Sequence, residues 1–171
     1  CQFAGARFIR GEVTGLELKQ QRILLSDRPS IRYDLLSLNV GSTSPSTFKS
    51  AFSIKPIAEF EKNLELLDQT VTGNQTLSIV GSGAAGLEMS FALKARYQEK
   101  LRINLVGQEL LSDISPRATQ RILNKMKLKG ISFIEGYSTQ FKDRTLSFRN
   151  RSSIETDYVV EADRNERVAE I

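Results

Sequence analysis

Between Thr76 and Leu93 the chain reads TLSIVGSGAAGLEMSFAL. An apolar run, Leu77 to Val80, meets Gly81, Gly83 and Gly86, and a helix-forming run of Ala, Leu, Met and Phe follows at once. This order predicts a strand that turns sharply into a helix packed close against it. Gly81 would permit the tight turn, Gly83 would let a pyrophosphate approach the backbone, and Gly86 would let helix and strand pack closely. The N–H groups from Ser82 through Ala84 to Ala85 would stand free at the helix start, where the positive end of the helix dipole binds phosphate oxygens. The competing reading is a glycine turn with no ligand.

The surrounding pattern supports the first reading. Leu77–Val80 predicts a strand and the run after it a helix of roughly 14 residues, with Leu87, Phe91 and Ala95 on one apolar face. LRINLVG predicts a second strand, and SPRATQRILNKMKLKG a second helix with Ser115 as N-cap, Pro116 at the first helical position and Gly130 as C-cap. ISFIEG predicts a third strand, YSTQFKDRTLSFRN a hairpin turning at Lys142-Asp143-Arg144, and IETDYVVEA a last strand. Strands alternating with helices imply a parallel sheet covered on both faces.

Upstream, ARFIRGEVTGLEL and QRILLS read as strands, and Leu35 to Val40 as another that ends at Gly41. A Ser/Thr/Pro-rich loop follows to about Ser53. From Lys55, apolar Ile57, Phe60, Leu64 and Leu67 recur at helical spacing, with Pro56 suited to the first turn. The expected architecture is therefore α/β. A Rossmann-like domain with a parallel sheet and a β-meander spans residues 54–162, an incomplete β-rich segment spans 1–53, and a tail spans 163–171.

Two acidic positions bear on the ligand. Glu88, two residues past Gly86, reads as a first-turn carboxylate, either satisfying the dipole or pointing at the nicotinamide end of a dinucleotide. Nicotinamide dinucleotide sites usually place Asp or Glu at the end of the second strand, on the adenosine ribose. Here Gly107 stands in that place, with Glu109 two residues later as a substitute or a loop charge. No Arg stands there for a 2′-phosphate, so neither NAD(H) nor NADP(H) is favoured by the strand end.

Composition removes other chemistries. The 24 Lys and Arg are scattered among 20 Asp and Glu, giving a net charge of +4 and no basic stripe for nucleic acid. No apolar run approaches the roughly 20 residues of a membrane span. The opening CQFAGARFIRGEV has no signal-peptide pattern, so a cytoplasmic location is expected. There is no histidine and the one cysteine is Cys1, so no metal site, disulfide framework or C-x-x-C pair is expected. No catalytic residue stands out, and redox chemistry would require a bound cofactor.

IVGSGAAGLEMSFAL, residues 79–93, resembles the glycine fingerprint of the NAD(P)H-binding domain in FAD-dependent pyridine nucleotide–disulfide oxidoreductases. YDLLSLNVGS, residues 33–42, resembles the segment closing that family's FAD-binding part, and IETDYVVEA the strand ending its NAD-binding part. The wording DLLSLNVGSTS followed by IKPI is most similar to type II NADH dehydrogenase-like members, and to the module fused to selenide, water dikinase. The resemblance implies hydride transfer from NADH or NADPH to FAD in the whole protein, with an isolated chain inactive. It implies cofactor contacts at Gly41, Gly81, Ser82, Gly83, Ala84, Ala85, Gly86, Glu88 and Gly107. The family's N-terminal FAD fingerprint, its dithiol and its closing Thr-Gly turn are not matched. A homodimer is a further expectation, as is a peripheral membrane contact through Arg117, Arg121, Lys125, Lys127 and Lys129, for which a solvated helix face is the simpler account. The alternative function is a non-catalytic Rossmann-like regulatory or scaffolding module serving a fused or partner enzyme.

Overall fold

A parallel strand buried on both faces needs a ladder partner on each side and apolar cover above and below. Gln75–Val80 (β5) has both. The computed structural model describes residues 3–40 and 46–162, in two units divided between positions 41 and 42. Gly41 and the 163–171 tail lie outside the described residues.

In the first unit, Val13–Glu17 (β1), Arg22–Leu25 (β2) and Ile31–Arg32 (β3) form an antiparallel sheet in that order. A bulge between Val13 and Gly15 offsets the β1–β2 register. The strand expected at Leu35–Val40 is absent: no described strand pairs with it, and Leu35 is 96% exposed.

In the second unit, Phe52–Ser53 (β4), β5, Leu101–Gly107 (β6), Ile131–Glu135 (β7) and Tyr158–Glu161 (β11) form a parallel sheet in the order β4-β11-β5-β6-β7. Phe52 and Ser53 pair with Val160 and Glu161. The unit thus reaches back past the expected boundary at 53/54, and part of the expected loop is an edge strand.

Ile57–Thr70 (α1), Ala84–Tyr97 (α2) and Pro116–Leu128 (α3) supply one apolar layer. Phe60, Leu67, Leu93 and Met126 from these helices pack on Leu77, Ile79, Ile103, Leu105 and Val160. Pro56 is the N-cap of α1 rather than its first residue, and Ile57 is 70% exposed, off the core stripe. In α3 the Ser115 hydroxyl accepts from the Ala118 N–H, as expected of an N-cap. Lys129 is the C-cap, and Gly130 follows at φ +68°.

The opposite face carries the meander of Ser138–Lys142 (β8), Thr145–Phe148 (β9) and Ser153–Glu155 (β10). Leu146 and Phe148 pack there with Phe48 on Val106 and Val159. The β8–β9 turn has Asp143 and Arg144 at positive φ, the geometry of a tight hairpin. IETDYVVEA is two strands, not one. Between them the Thr156 N–H donates to the Arg144 carbonyl and the Asp157 N–H to the Thr76 carbonyl, so the chain leaves the meander and enters the sheet there.

Asp68 on α1 accepts from the Arg96 guanidinium at 3.0 and 2.5 Å and from the Tyr97 hydroxyl at 2.9 Å, joining α1 to α2. The hydrogen bonds from Arg96 and then Tyr97 hold the Asp68 carboxyl below its ordinary range. Burial, with the bond to Asp68, pushes the Tyr97 phenol up to about 12. Among the described residues no helix is long and apolar enough to cross a membrane.

Candidate nucleotide site

The chain order reverses between β5 and β11. From β5 the crossovers run outward through β6 to β7, and the chain then returns to place β11 on the other side of β5. In an open parallel sheet such a point leaves a crevice at the carboxyl ends of the strands. A cleft of about 310 Å³ lies there, lined by strand-end residues Val80, Gly81, Gly107, Gly136 and Glu161, with Phe48 and Tyr137 beside them.

The glycines have separate tasks. Gly81 has φ +114°, a conformation other residues rarely take, and its N–H donates to the Val106 carbonyl at 2.9 Å. Gly86 is buried, and a Cβ there would overlap the Gly81 carbonyl oxygen. Gly83 is the N-cap of α2, in extended backbone that any residue adopts, and a Cβ there would meet nothing within 4 Å. No side chain caps α2, and Gly83, Ala84 and Ala85 are exposed. The first N–H groups of that helix therefore face solvent without a side-chain acceptor, an arrangement that suits phosphate oxygens. The orphaned donors and the open space over Gly83 fit a pyrophosphate.

Ser82 locks the loop. Its hydroxyl donates to the Glu109 carbonyl at 2.5 Å, and its own carbonyl accepts from the Leu111 N–H at 3.1 Å. Gly107 ends β6 against this serine: a Cβ there would overlap the Ser82 hydroxyl and stand 2.5 Å from its Cβ. Gly107 is thus a packing glycine, and no carboxylate can be added at that strand end without moving the loop that holds Ser82. Glu109 is exposed, held through its backbone by Ser82. Glu88 lies beyond the first turn of α2, exposed and outside the residues lining the cleft.

Glu161 and Tyr137 are among the cleft-lining residues that sequence reasoning missed. Glu161 is 8% exposed at the end of β11, and its carboxylate accepts from the Thr47 N–H at 2.7 Å. The one signal for it was an acid within the apolar run YVVEA. Tyr137 follows β7, and the Arg149 guanidinium lies 4.3 Å from its ring centroid. Nothing local in the sequence joins those two. Among the described residues no group of acids, cysteine or histidine is arranged to hold a metal.

No family model matches the chain. Ferroptosis suppressor protein 1 of Homo sapiens is 29% identical over 129 residues, covering 74% of this chain and 34% of that protein. Demethylphylloquinone reductase NdbB of Synechocystis is 25% identical, covering 88% of this chain and 42% of that protein. NADH dehydrogenase-like protein YutJ of Bacillus subtilis is 23% identical, covering 88% and 44%. The chain therefore spans 34–44% of the length of these curated relatives. A ferredoxin reductase from Rhodopseudomonas palustris superposes with a TM-score of 0.72 at 15% identity, over 94% of this chain and 42% of that one. A water-forming NADH oxidase from Lactobacillus brevis, solved with NADH bound, superposes with a TM-score of 0.63 at 16% identity, over 87% and 36%. By relatives and by fold, this chain is related to the FAD-dependent pyridine nucleotide–disulfide oxidoreductases and their NADH dehydrogenase-like members.

Proposed function

We propose that this chain is the nicotinamide-dinucleotide-binding part of an FAD-dependent NAD(P)H oxidoreductase. The observation that carries the reading is the uncapped start of α2, set behind the Gly81 turn at the reversal point of a parallel sheet. Pyrophosphate would lie over Gly83 and accept from the N–H groups of Ser82 to Ala85. Gly86 keeps α2 close to β5, and Ser82 fixes the loop before any ligand arrives. That preorganisation lowers the ordering entropy lost on binding. The bound nicotinamide supplies a hydride for FAD in the whole protein; this chain's residues bind and orient it. Glu88 is kept as a candidate near the nicotinamide end and Gly41 as a candidate on the flavin side. Under this proposal residues 1–41 belong with the flavin-binding part and 42–162, which include the edge strand Phe52–Ser53, with the nucleotide-binding part. Exposed Phe3, Phe8, Leu18 and Leu35 fit a first unit that meets further apolar surface. A cytoplasmic location, peripheral membrane contact and a homodimer rest on the resemblance alone.

One observation favours the second reading, a non-catalytic scaffolding or regulatory module. Gly107 leaves no acid at the end of β6 and no room for one. Calorimetric titration of the chain with NADH, NADPH and ADP-ribose tests both readings. Saturable binding of at least one supports the first; no binding of any at millimolar concentration overturns it.

A further inference from the structure

The geometry points to Tyr137 as the platform on which the adenine ring of the dinucleotide stacks. This inference rests on the reading of the cleft as a dinucleotide site.

The adenosine half of a dinucleotide lies on the β6 side of the phosphate loop. There the floor of the cleft is made of two glycines. Gly107 ends β6, and Gly136 follows β7 with its N–H donating to the Gly107 carbonyl at 2.9 Å. Both line the cleft, and neither has room for a side chain. A Cβ on Gly107 would overlap the Ser82 hydroxyl, and one on Gly136 would stand 2.7 Å from the Phe148 ring. The floor is therefore bare backbone. Tyr137 stands at its edge, lining the cleft and 48% exposed.

The tyrosine is held from outside the cleft. The Arg149 N–H donates to the Tyr137 carbonyl at 2.9 Å, and the guanidinium lies 4.3 Å from the ring centroid. Both residues continue the β8–β9 ladder, in which Ser138 pairs with Phe148. Arg149 does not itself line the cleft, so the cation covers the ring on the side away from it. The other face is left for a second planar group, which aromatic rings take in offset stacking. A ring fixed before the ligand arrives also loses little freedom on binding. Stacking reads a π face rather than a charge. Glu109 and Glu135 are exposed at the same strand ends, and an uncharged base meets no repulsion from them.

The test is calorimetric titration of the full chain with ADP-ribose and NADH, repeated with Tyr137→Ala and Tyr137→Phe, together with tyrosine fluorescence. Loss of base stacking predicts about tenfold weaker binding of both ligands by Tyr137→Ala. Tyr137→Phe keeps the ring and should keep the affinity. The chain has four tyrosines and no tryptophan, so tyrosine emission is read directly. ADP-ribose should quench it in the unaltered chain, and the quench should be lost in Tyr137→Phe. Unchanged affinity in Tyr137→Ala overturns the inference and leaves the dinucleotide reading standing. So does a weakening in Tyr137→Phe as large as in Tyr137→Ala, binding by the unaltered chain without a quench, or a quench that survives in Tyr137→Phe. Should Tyr137→Ala fail to fold, the affinity and fluorescence of Tyr137→Phe decide alone. Failure of both ligands to bind the unaltered chain refutes both readings.

Discussion

Gly86→Ala adds one methyl group where the structure leaves no space. The new Cβ would overlap the Gly81 carbonyl oxygen, stand 3.0 Å from the carbonyl carbon and 3.3 Å from Leu105 Cδ1. The leucine methyl can yield by a small rotation. The carbonyl cannot, because Gly81 is held at φ +114° with its N–H bonded to Val106. Helix α2 must therefore lift from β5, and overpacking of this kind costs about 1–3 kcal/mol. Against this, alanine in a helix is better than glycine by roughly 0.8–1 kcal/mol. That gain is smaller at the third residue of α2 than in a helix interior. A clash with fixed backbone falls at the upper end of the overpacking range, so the clash wins, leaving a net loss of about 2 kcal/mol. At roughly 2–4 °C per kcal/mol for a chain of this size, Tm should fall by roughly 4–8 °C. Thermal unfolding followed by far-ultraviolet circular dichroism measures it. An unchanged or raised Tm would mean that α2 and β5 are not at close approach, and the account of this turn would fall.

Gly83→Val should leave Tm nearly unchanged, since the space above it is open, yet abolish nucleotide binding by standing in the path of the pyrophosphate; unchanged affinity by calorimetry would refute the phosphate-loop role. Gly107→Glu should lower Tm and weaken NADH and NADPH alike, because the side chain displaces Ser82; a folded variant newly selective for NADH would show that the strand end has more room than described. Asp68 has a depressed pKa, so its contribution to stability is present above its ordinary value of 3.8 and is lost as pH falls through the lower folded value. Asp68→Asn should flatten that acid limb in unfolding measured against pH. Tyr97 has a raised pKa, so its contribution is full below its ordinary value of 10.0 and is lost as pH rises through about 12. Tyr97→Phe should flatten the alkaline limb over that window; an unaltered limb would refute the coupling to Asp68.

The elements read correctly from the sequence are those whose signals are local. The turn at Gly81, the close approach at Gly86, Ser115 with Pro116, and the turn at Lys142-Asp143-Arg144 each act within a few residues. Leu35–Val40 has a strand's composition, but a strand exists only with a partner, and none of the described strands supplies one. The break at Thr156-Asp157 is set by bonds to Arg144 and Thr76, the latter 80 residues away for Thr156, which no local window can see. The same limit hid Arg149 on Tyr137 and Glu161 on Thr47. Gly107 was legible as a missing acid; its physical reason, the Ser82 side chain, required the fold.

The sheet is completed from the inside, and this sets how the chain must be made. The β11 strand lies between β4 and β5, yet it is the last of the five in sequence. During synthesis β5 can pair with β6 soon after both have emerged. Its other edge stays bare until residue 161 has left the ribosome. For about 80 residues of translation, an apolar strand keeps a row of open N–H and C=O groups, the feature most prone to wrong pairing. Any translational pause or premature stop between β7 and β11 would release a chain with that edge still exposed, a natural substrate for chaperones that shield nascent strands.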